Sequence, residues 1–185
     1  LVEEEGAGRS LGWRLKALNM GGAVYIAHAR AVLIDDAACR AALVARVKTA
    51  RKPVIVFDPL TSLHQGNEND TEHANALRRQ LTEVAHAHPE SLVVVLHHTS
   101  KNLERSDMYA GRGSSVFAGW TDVQLNLSHL PTKKEEGMVA FRVLLAKSRD
   151  GHRGLKRDLF IDLASGAVES ADPGEQAADD IDGAI

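Results

Sequence analysis

The sequence predicts an α/β protein whose mostly parallel, twisted sheet carries helices on both faces. Strand-like apolar runs alternate along the chain with segments of helical length. The runs at 53–57 and 91–96 are continuously apolar, which is typical of strands buried on both faces. Polar side chains follow these runs directly, as they do at the carboxyl edge of a parallel sheet, where ligands bind.

The first fifty residues contain a strand end and two predicted helices. Residues 1–2 are apolar and three glutamates follow, so we expect the end of a strand in a chain that begins inside a longer protein. Leucines at helical spacing predict a helix over 10–18, and 23–27 is a small apolar run. A second helix is expected over 35–50, because two aspartates stand at its positive end.

The rest of the chain adds one helix, three strands and an acidic tail. Asp150-Gly151 is a turn dipeptide between two β-rich runs, so a β-hairpin is expected near the carboxyl terminus. From Ala164 onward Gly, Pro and acids dominate, which predicts a frayed tail over 164–185 after one partial domain over 1–163. The helix is expected over 72–88, and the strands over 121–127, 139–146 and 158–163.

Composition limits the classes of function. The 185 residues are 44% hydrophobic, which is enough for one buried core. Lys and Arg number 22 against 25 Asp and Glu, so the net charge of −3 creates no global field for nucleic acid, and any DNA contact must be local. A single cysteine, Cys39, excludes an internal disulfide, and no apolar run is long enough to span a bilayer. We therefore expect a cytoplasmic protein.

Asp58 ends the strand-like pentapeptide Val54–Asp58. A carboxylate in this position can orient the water shell of a nucleotide-bound Mg²⁺, as a Walker B element does. Strand-terminal aspartates also cap turns, and the pentapeptide alone leaves both interpretations open.

Several motifs occur in a recognisable order: FDPLTSLH at 57–64, NEND at 67–70, LHHTSK at 96–101 and GRGSSVFAGWTD at 111–122. Together they resemble the RepA-type hexameric replicative helicases and the related AAA_25 group of RecA-like P-loop ATPases. The resemblance extends from Val2 to about Leu163 and implies a RecA-like core that uses ATP and Mg²⁺.

The phosphate-binding motif G-x-x-x-x-G-K-[ST] does not occur in these residues. GAGRS at 6–10 has no lysine and no strand of its own, so it is not the phosphate cradle. In the family that loop lies just upstream, and we expect this fragment alone to be inactive.

The resemblance implies roles for residues at the strand ends. Glu5 resembles the glutamate that polarises the attacking water, with Glu4 as its nearest competitor and a merely solvated acidic edge as the alternative. Asp58 would hold the Mg²⁺ water shell, and His97 and His98 resemble the γ-phosphate sensor. Zinc is disfavoured for the histidine pair, because no third ligand stands at ligand spacing. Glu5, Asp58 and His97 should open on one sheet edge.

Cations later in the chain resemble residues that act between subunits. Lys147 and Arg149 resemble the K-x-R pair that such helicases place against the neighbouring subunit's γ-phosphate, the arginine-finger function. An ordinary charged strand end is the alternative. Arg112 is a second candidate for the finger, or it shapes a DNA-facing loop.

The function that the resemblance implies is an ATP-hydrolysing motor domain of a ring-forming DNA helicase or related DNA-processing ATPase. Its expected partners are single-stranded DNA and further copies of itself, in a hexameric ring, with no membrane. Lys101, Arg105 and Tyr109 could contact DNA from a polar loop, although a generic surface loop would look the same. The alternative is a RecA-like DNA-binding or recombination-mediator module that does not hydrolyse ATP.

Overall fold

The computed structural model describes residues 32–67, 69–98, 116–131, 137–151 and 154–173, and the backbone of residues 2–3 and 27–28. The predicted helix at 10–18 lies outside these residues, and so do Glu4, Glu5, Lys101, Arg105, Tyr109 and Arg112. The described elements divide into two compact units, and each unit has its own four-stranded sheet.

The sheet of the first unit is entirely parallel. Its strands are β1 (Val2–Glu3), β2 (Ala27–His28), β3 (Val54–Asp58) and β4 (Leu92–Val95). Their spatial order is β2-β1-β3-β4. The prediction that the strands ending at Asp58 and before His97 are parallel neighbours is therefore confirmed.

Aspartates begin the two longer helices of this unit. Helix α1 (Ala37–Thr49) starts where Asp36 accepts a hydrogen bond from the Cys39 backbone N–H at 2.7 Å, and this bond lowers the pKa of Asp36. Helix α2 (Thr71–Ala85) starts at Asp70, which accepts from the Glu72 N–H at 2.8 Å. Both predicted helices are confirmed, although α2 ends at Ala85, before the predicted boundary. A third helix, α3, spans Val116–Trp120.

The core of the unit lies on one face of the sheet. Four residues of α2 at helical spacing are fully buried, and they pack in one cluster with the inward residues of β3 and with Phe117 of α3. The buried α2 residues are Ala74, Leu77, Leu81 and Val84, and those of β3 are Ile55 and Phe57.

Both described helices that follow β2 and β3 lie on one face of the sheet, and side chains on the opposite face of β3 and β4 are exposed. The helix predicted over 10–18 lies outside the described residues. Val54 and Leu92 are 60% and 56% exposed, and Val94 and Leu96 are exposed as well. The reason lies in the direction of the crossovers. The steps from β2 to β3 and from β3 to β4 run the same way across the sheet, and right-handed crossovers then place α1 and α2 on the same face.

The second unit is an antiparallel sheet, so the parallel sheet that the sequence predicts is found in the first unit alone. Its strands, in spatial order, are β5 (Val123–Leu130), β6 (Met138–Ser148), β7 (Lys156–Asp162) and β8 (Val168–Ala171). The connection at 131–137 is too short for the crossover that parallel strands require. The predicted hairpin is confirmed as β6 and β7, and Gly151 in its turn adopts a φ of 87°.

Strand β8 lies inside the segment predicted to be a tail. It pairs with β7 through backbone hydrogen bonds, from Asp158 opposite Ala171 to Ile161 opposite Val168. Such a ladder needs no large apolar side chains, which is why composition alone did not indicate it. Among the described residues, no helix has the length and hydropathy needed to cross a bilayer.

A partly buried ion pair joins β6 to β7 in the second unit. Arg142 Nε and Nη2 donate to the two carboxylate oxygens of Asp158 at 2.7 and 2.8 Å, and Asp158 is buried. These hydrogen bonds lower the pKa of Asp158. A carboxylate with a lowered folded-state pKa stabilises the fold above its unfolded pKa of about 4, and this stabilisation is lost as the pH falls through the folded-state value.

We expect Asp158→Asn to destabilise the second unit by about 1–3 kcal/mol at pH 7, because it leaves the Arg142 guanidinium without its anion. The difference from wild type should shrink toward pH 3. Urea unfolding at both pH values measures it. The variant Arg142→Met and the double variant complete a thermodynamic cycle, and a coupling near zero at pH 7 would show that the pair contributes nothing.

Candidate functional site

Asp58 lies at the carboxyl edge of the parallel sheet. It is the last residue of β3, it is half-buried, and its backbone pairs with that of Glu3 in β1. Glu5 follows Glu3 by two residues and lies outside the described part of the chain. The register therefore places the backbone of Glu3 beside that of Asp58 at this edge.

The histidine pair leaves the sheet at the same edge. The Leu96 N–H donates to the Phe57 carbonyl at 2.8 Å, and the Leu96 carbonyl accepts from the Leu60 N–H at 2.8 Å. These two bonds extend β4 by one residue beyond the paired Phe57 and Val95, to the level of Asp58. Asp58 and His97 are therefore at one edge, as the sequence predicts.

The two histidines have different environments. The His97 ring is half-buried and makes an edge-on contact with Phe117, with ring centroids 6.0 Å apart and an interplanar angle of 69°. His98 is exposed. Alternate residues of an extended chain lie on the same face. His98 is therefore on the face of Leu96 and its neighbour Asp58, whereas His97 is on the core face with Val95. His98 is thus the imidazole on the Asp58 side.

The loop after Asp58 has contacts that sequence reasoning missed. His64 Nδ1 and His73 Nε2 are hydrogen-bonded at 3.0 Å, and the Gln65 N–H donates to Asp35 Oδ2 at 2.9 Å. A Cβ at Gly66 would overlap the His73 ring, so a larger residue there requires that ring to move. The histidines are nine residues apart, and only the glycine between them hints at a close approach. These contacts fix the path from the sheet edge to α2.

A Mg²⁺ ion held through its water shell fits the chemistry of Asp58. Within the described ranges, no group of three or more His, Cys, Asp and Glu could hold a metal ion directly. Mg²⁺ in nucleotide sites keeps several waters and takes one or two carboxylates together with phosphate oxygens. A single half-exposed carboxylate at a strand end suits that arrangement.

In the second unit, Arg149 is joined to Asp122. Its backbone N–H donates to the Asp122 carbonyl at 3.0 Å, and its Nε lies 2.5 Å from Asp122 Oδ1. Both side chains are mostly exposed, at 62% and 76%, so water weakens the ion pair. Sequence reasoning did not single out Asp122, which precedes β5 and is distant from Arg149 in the chain.

Lys147 lies beside a bulge in β6. Gln124 pairs with Lys147 and Leu125 pairs with Leu145, so Ala146 is the extra residue. Bulges redirect the side chains that follow them and recur beside functional sites. Lys147 and Arg149 therefore lie at the end of β6, immediately after its bulge.

The family model AAA_25, described as an AAA domain, matches residues 1–104. The chain belongs to the AAA_25 family. Membership indicates an ATPase-type function with nucleotide binding, typically with Mg²⁺. No curated protein matches the chain.

The AAA_25 match covers only some of the predicted site residues. Glu5, Asp58, His97, His98 and Lys101 lie within it. The antiparallel sheet lies beyond it, so the roles of the later residues remain predictions that rest on their own motifs. Those residues are Arg105, Tyr109, Arg112, Lys147 and Arg149.

Proposed function

We propose that this AAA_25 chain is part of the ATP-hydrolysing, Mg²⁺-dependent motor domain of a ring-forming DNA helicase or related DNA-processing ATPase. The observation that carries the proposal is the shared sheet edge. Asp58 ends β3, and the His97-His98 pair follows Leu96, which lies beside Asp58 on the neighbouring parallel strand. This is the edge where α/β proteins bind their ligands. A carboxylate and imidazoles meeting at that edge suit a nucleotide with its metal.

Each residue at the edge has a defined task in this proposal. Asp58 orients waters of the Mg²⁺ shell, and Glu5 polarises the water that attacks the γ-phosphate. His98 donates a hydrogen bond to a phosphoryl oxygen. His97 keeps the segment in place through its contact with Phe117. Bound ATP would supply the scissile phosphoanhydride. Mg²⁺ would neutralise part of the negative charge on its phosphates.

The ring is proposed from Lys147 and Arg149. Positive charge near the transferred phosphoryl group is required in the transition state, and a neighbouring subunit can supply it. Arg149 is mostly exposed, so a second subunit can reach it, and the exposed ion pair with Asp122 costs little to break. The proposed ring is a hexamer that encloses DNA.

Steady-state kinetics of the purified full-length protein test the proposal. We expect ATP hydrolysis that requires Mg²⁺, that single-stranded DNA stimulates, and that drives separation of a forked duplex. Hydrolysis that is indifferent to DNA would reject the DNA-processing function. Absence of hydrolysis with ATP still bound would favour the mediator-type alternative.

Alanine substitutions of His97 and His98 should have different effects on turnover and on stability. His98→Ala is expected to lower kcat by about 10²-fold, because a donor to the transition state is lost while the fold is intact. His97→Ala should mainly lower the thermal midpoint, because its ring contacts Phe117. Turnover measured beside thermal unfolding separates the two effects. A larger loss of kcat in His97→Ala, at unchanged stability, would reverse the assignment.

A further inference from the structure

The amino end of the parallel sheet, opposite the edge that carries Asp58, has a cluster of cations. Arg46 and Lys48 lie in the last turn of α1, and Arg51 and Lys52 follow the helix end. All four side chains belong to exposed residues. We call this cluster the basic edge.

Two loops meet at the basic edge. The Leu92 N–H donates to the Pro53 carbonyl at 2.9 Å, where β3 and β4 begin side by side. Lys52 Nζ lies 3.5 Å from Glu90 Oε1. Residues 46–53 and 86–91 contain no other carboxylate.

Cations outnumber carboxylates in the segments that form the basic edge. Residues 46–53 and 86–91 contain four Lys and Arg and one Glu, although the whole chain has a net charge of −3. Glu83, in the last turn of α2, is paired with Arg40. The helices α1 and α2 both end at this side of the sheet, and each carboxyl terminus contributes roughly −0.5 of a charge. These partial charges offset only part of the excess of cations in the two segments.

The cations are spread out rather than convergent. Val47 is buried, and successive residues of a helix are about 100° apart, so Arg46 and Lys48 project on either side of the α1 axis. Arg51 and Lys52 lie beyond the helix end. Cations spread in this way suit an extended chain of phosphates better than one phosphate.

Stability does not account for the lysine at position 52. Lys52 has a φ of 49°, in the left-handed region that favours glycine or asparagine. Its side chain is 67% exposed, and an exposed ion pair as long as the one with Glu90 contributes little. A cation that interacts with something outside this chain would account for lysine at a position where it is strained.

We propose that the basic edge binds the phosphate backbone of a nucleic acid strand. The surface lies at the opposite end of the sheet from Asp58, and none of its residues belongs to the segment 101–112. Since the inference depends on charge and geometry alone, it stands whether or not the chain hydrolyses ATP. Backbone binding of this kind is insensitive to sequence and strongly dependent on salt.

The test is binding of fluorescently labelled oligothymidylate, followed by anisotropy in the full-length protein between about 50 and 200 mM NaCl. The triple variant Lys48→Gln, Arg51→Gln, Lys52→Gln should weaken binding by about tenfold or more. Each lost phosphate contact should also reduce the slope of log affinity against log salt by about 0.7. Labelled duplex DNA should show the same loss, with a change of about 0.9 per contact.

A matched control carries the same change in net charge at exposed cations elsewhere: Arg79→Gln, Lys156→Gln, Arg157→Gln. It should keep nearly wild-type affinity and salt dependence. Equal losses in both triple variants would indicate a nonspecific charge effect and overturn the proposal. An unchanged affinity in the basic-edge variant would also overturn it, and so would a loss of binding to phosphatidylserine vesicles without any loss of DNA binding.

Lys52→Gly keeps the proposal testable if the triple variant does not fold. Glycine removes the cation and suits the positive φ, so DNA affinity should fall by about twofold or more while the thermal midpoint does not fall. A lower midpoint with unchanged DNA affinity would show that Lys52 serves the fold alone.

Discussion

Arg149→Ala is expected to lower ATP turnover of the full-length protein by about 10³-fold or more and to leave ATP affinity nearly unchanged. An arginine finger acts on charge that develops in the transition state, and its contribution in well-studied nucleotide hydrolases is roughly 10³ to 10⁵ in rate. Single-turnover hydrolysis and equilibrium binding of a fluorescent ATP analogue measure the two quantities. Arg157→Ala is the matched control, because Arg157 is exposed, lies in the same sheet and pairs with Asp172.

Mixing of inactive subunits shows whether Arg149 acts across an interface. Arg149→Ala subunits retain Glu5, and Glu5→Gln subunits retain Arg149, so some interfaces in a mixed ring have both residues intact. Partial activity should therefore return on mixing. If demonstrably mixed rings stay inactive, or if Arg149→Ala hydrolyses ATP normally, the finger is elsewhere, and Arg112 is the next residue to test.

The contact with Asp122 adds a finer expectation for Arg149. In the structure its guanidinium is paired within its own chain, and this pair must open before the group can reach another subunit. Asp122→Asn should therefore leave turnover unchanged or raise it slightly, because an exposed pair costs little to break. A loss as large as that of Arg149→Ala would mean that Asp122 orients the arginine.

Asp58→Ala is expected to impair Mg²⁺-dependent nucleotide binding as well as turnover, with a loss of about 10²-fold or more in kcat/KM. Without the carboxylate, the waters of the Mg²⁺ shell lose their anchor at the sheet edge. ATP affinity measured with Mg²⁺ and with EDTA should differ in wild type and converge in the variant. Asp150→Ala, in an exposed turn, is the control. Equal Mg²⁺ dependence in Asp58→Ala and wild type would contradict the role.

The sequence was most informative where local chemistry decides the structure. Asp35 and Asp36 mark the start of α1, and the apolar runs at 53–57 and 91–96 mark neighbouring strands. It is less informative where long-range packing decides. Continuous apolar runs predict strands covered on both faces, whereas the described helices after β2 and β3 lie on one face, and Val54 and Leu92 are exposed.

The site residues could likewise be predicted where local chemistry decides their position, but not where long-range packing does. Asp58 and His97 could be predicted to share an edge, because strand ends of a parallel sheet gather there. The contrast between His97 and His98 could not be, since it depends on Phe117, which is nineteen residues beyond the later histidine. The pairing of Arg149 with Asp122 likewise joins residues that only the antiparallel sheet brings together.

The most direct test of the central claim is an experimental structure of the full-length protein with Mg²⁺ and a non-hydrolysable ATP analogue. We predict that the metal lies about 4 Å from a carboxylate oxygen of Asp58, one water away, and that a His98 ring nitrogen lies within hydrogen-bond distance of the γ-phosphate. A nucleotide bound anywhere other than this carboxyl edge, with Asp58 facing neither metal nor water shell, would contradict the proposed site.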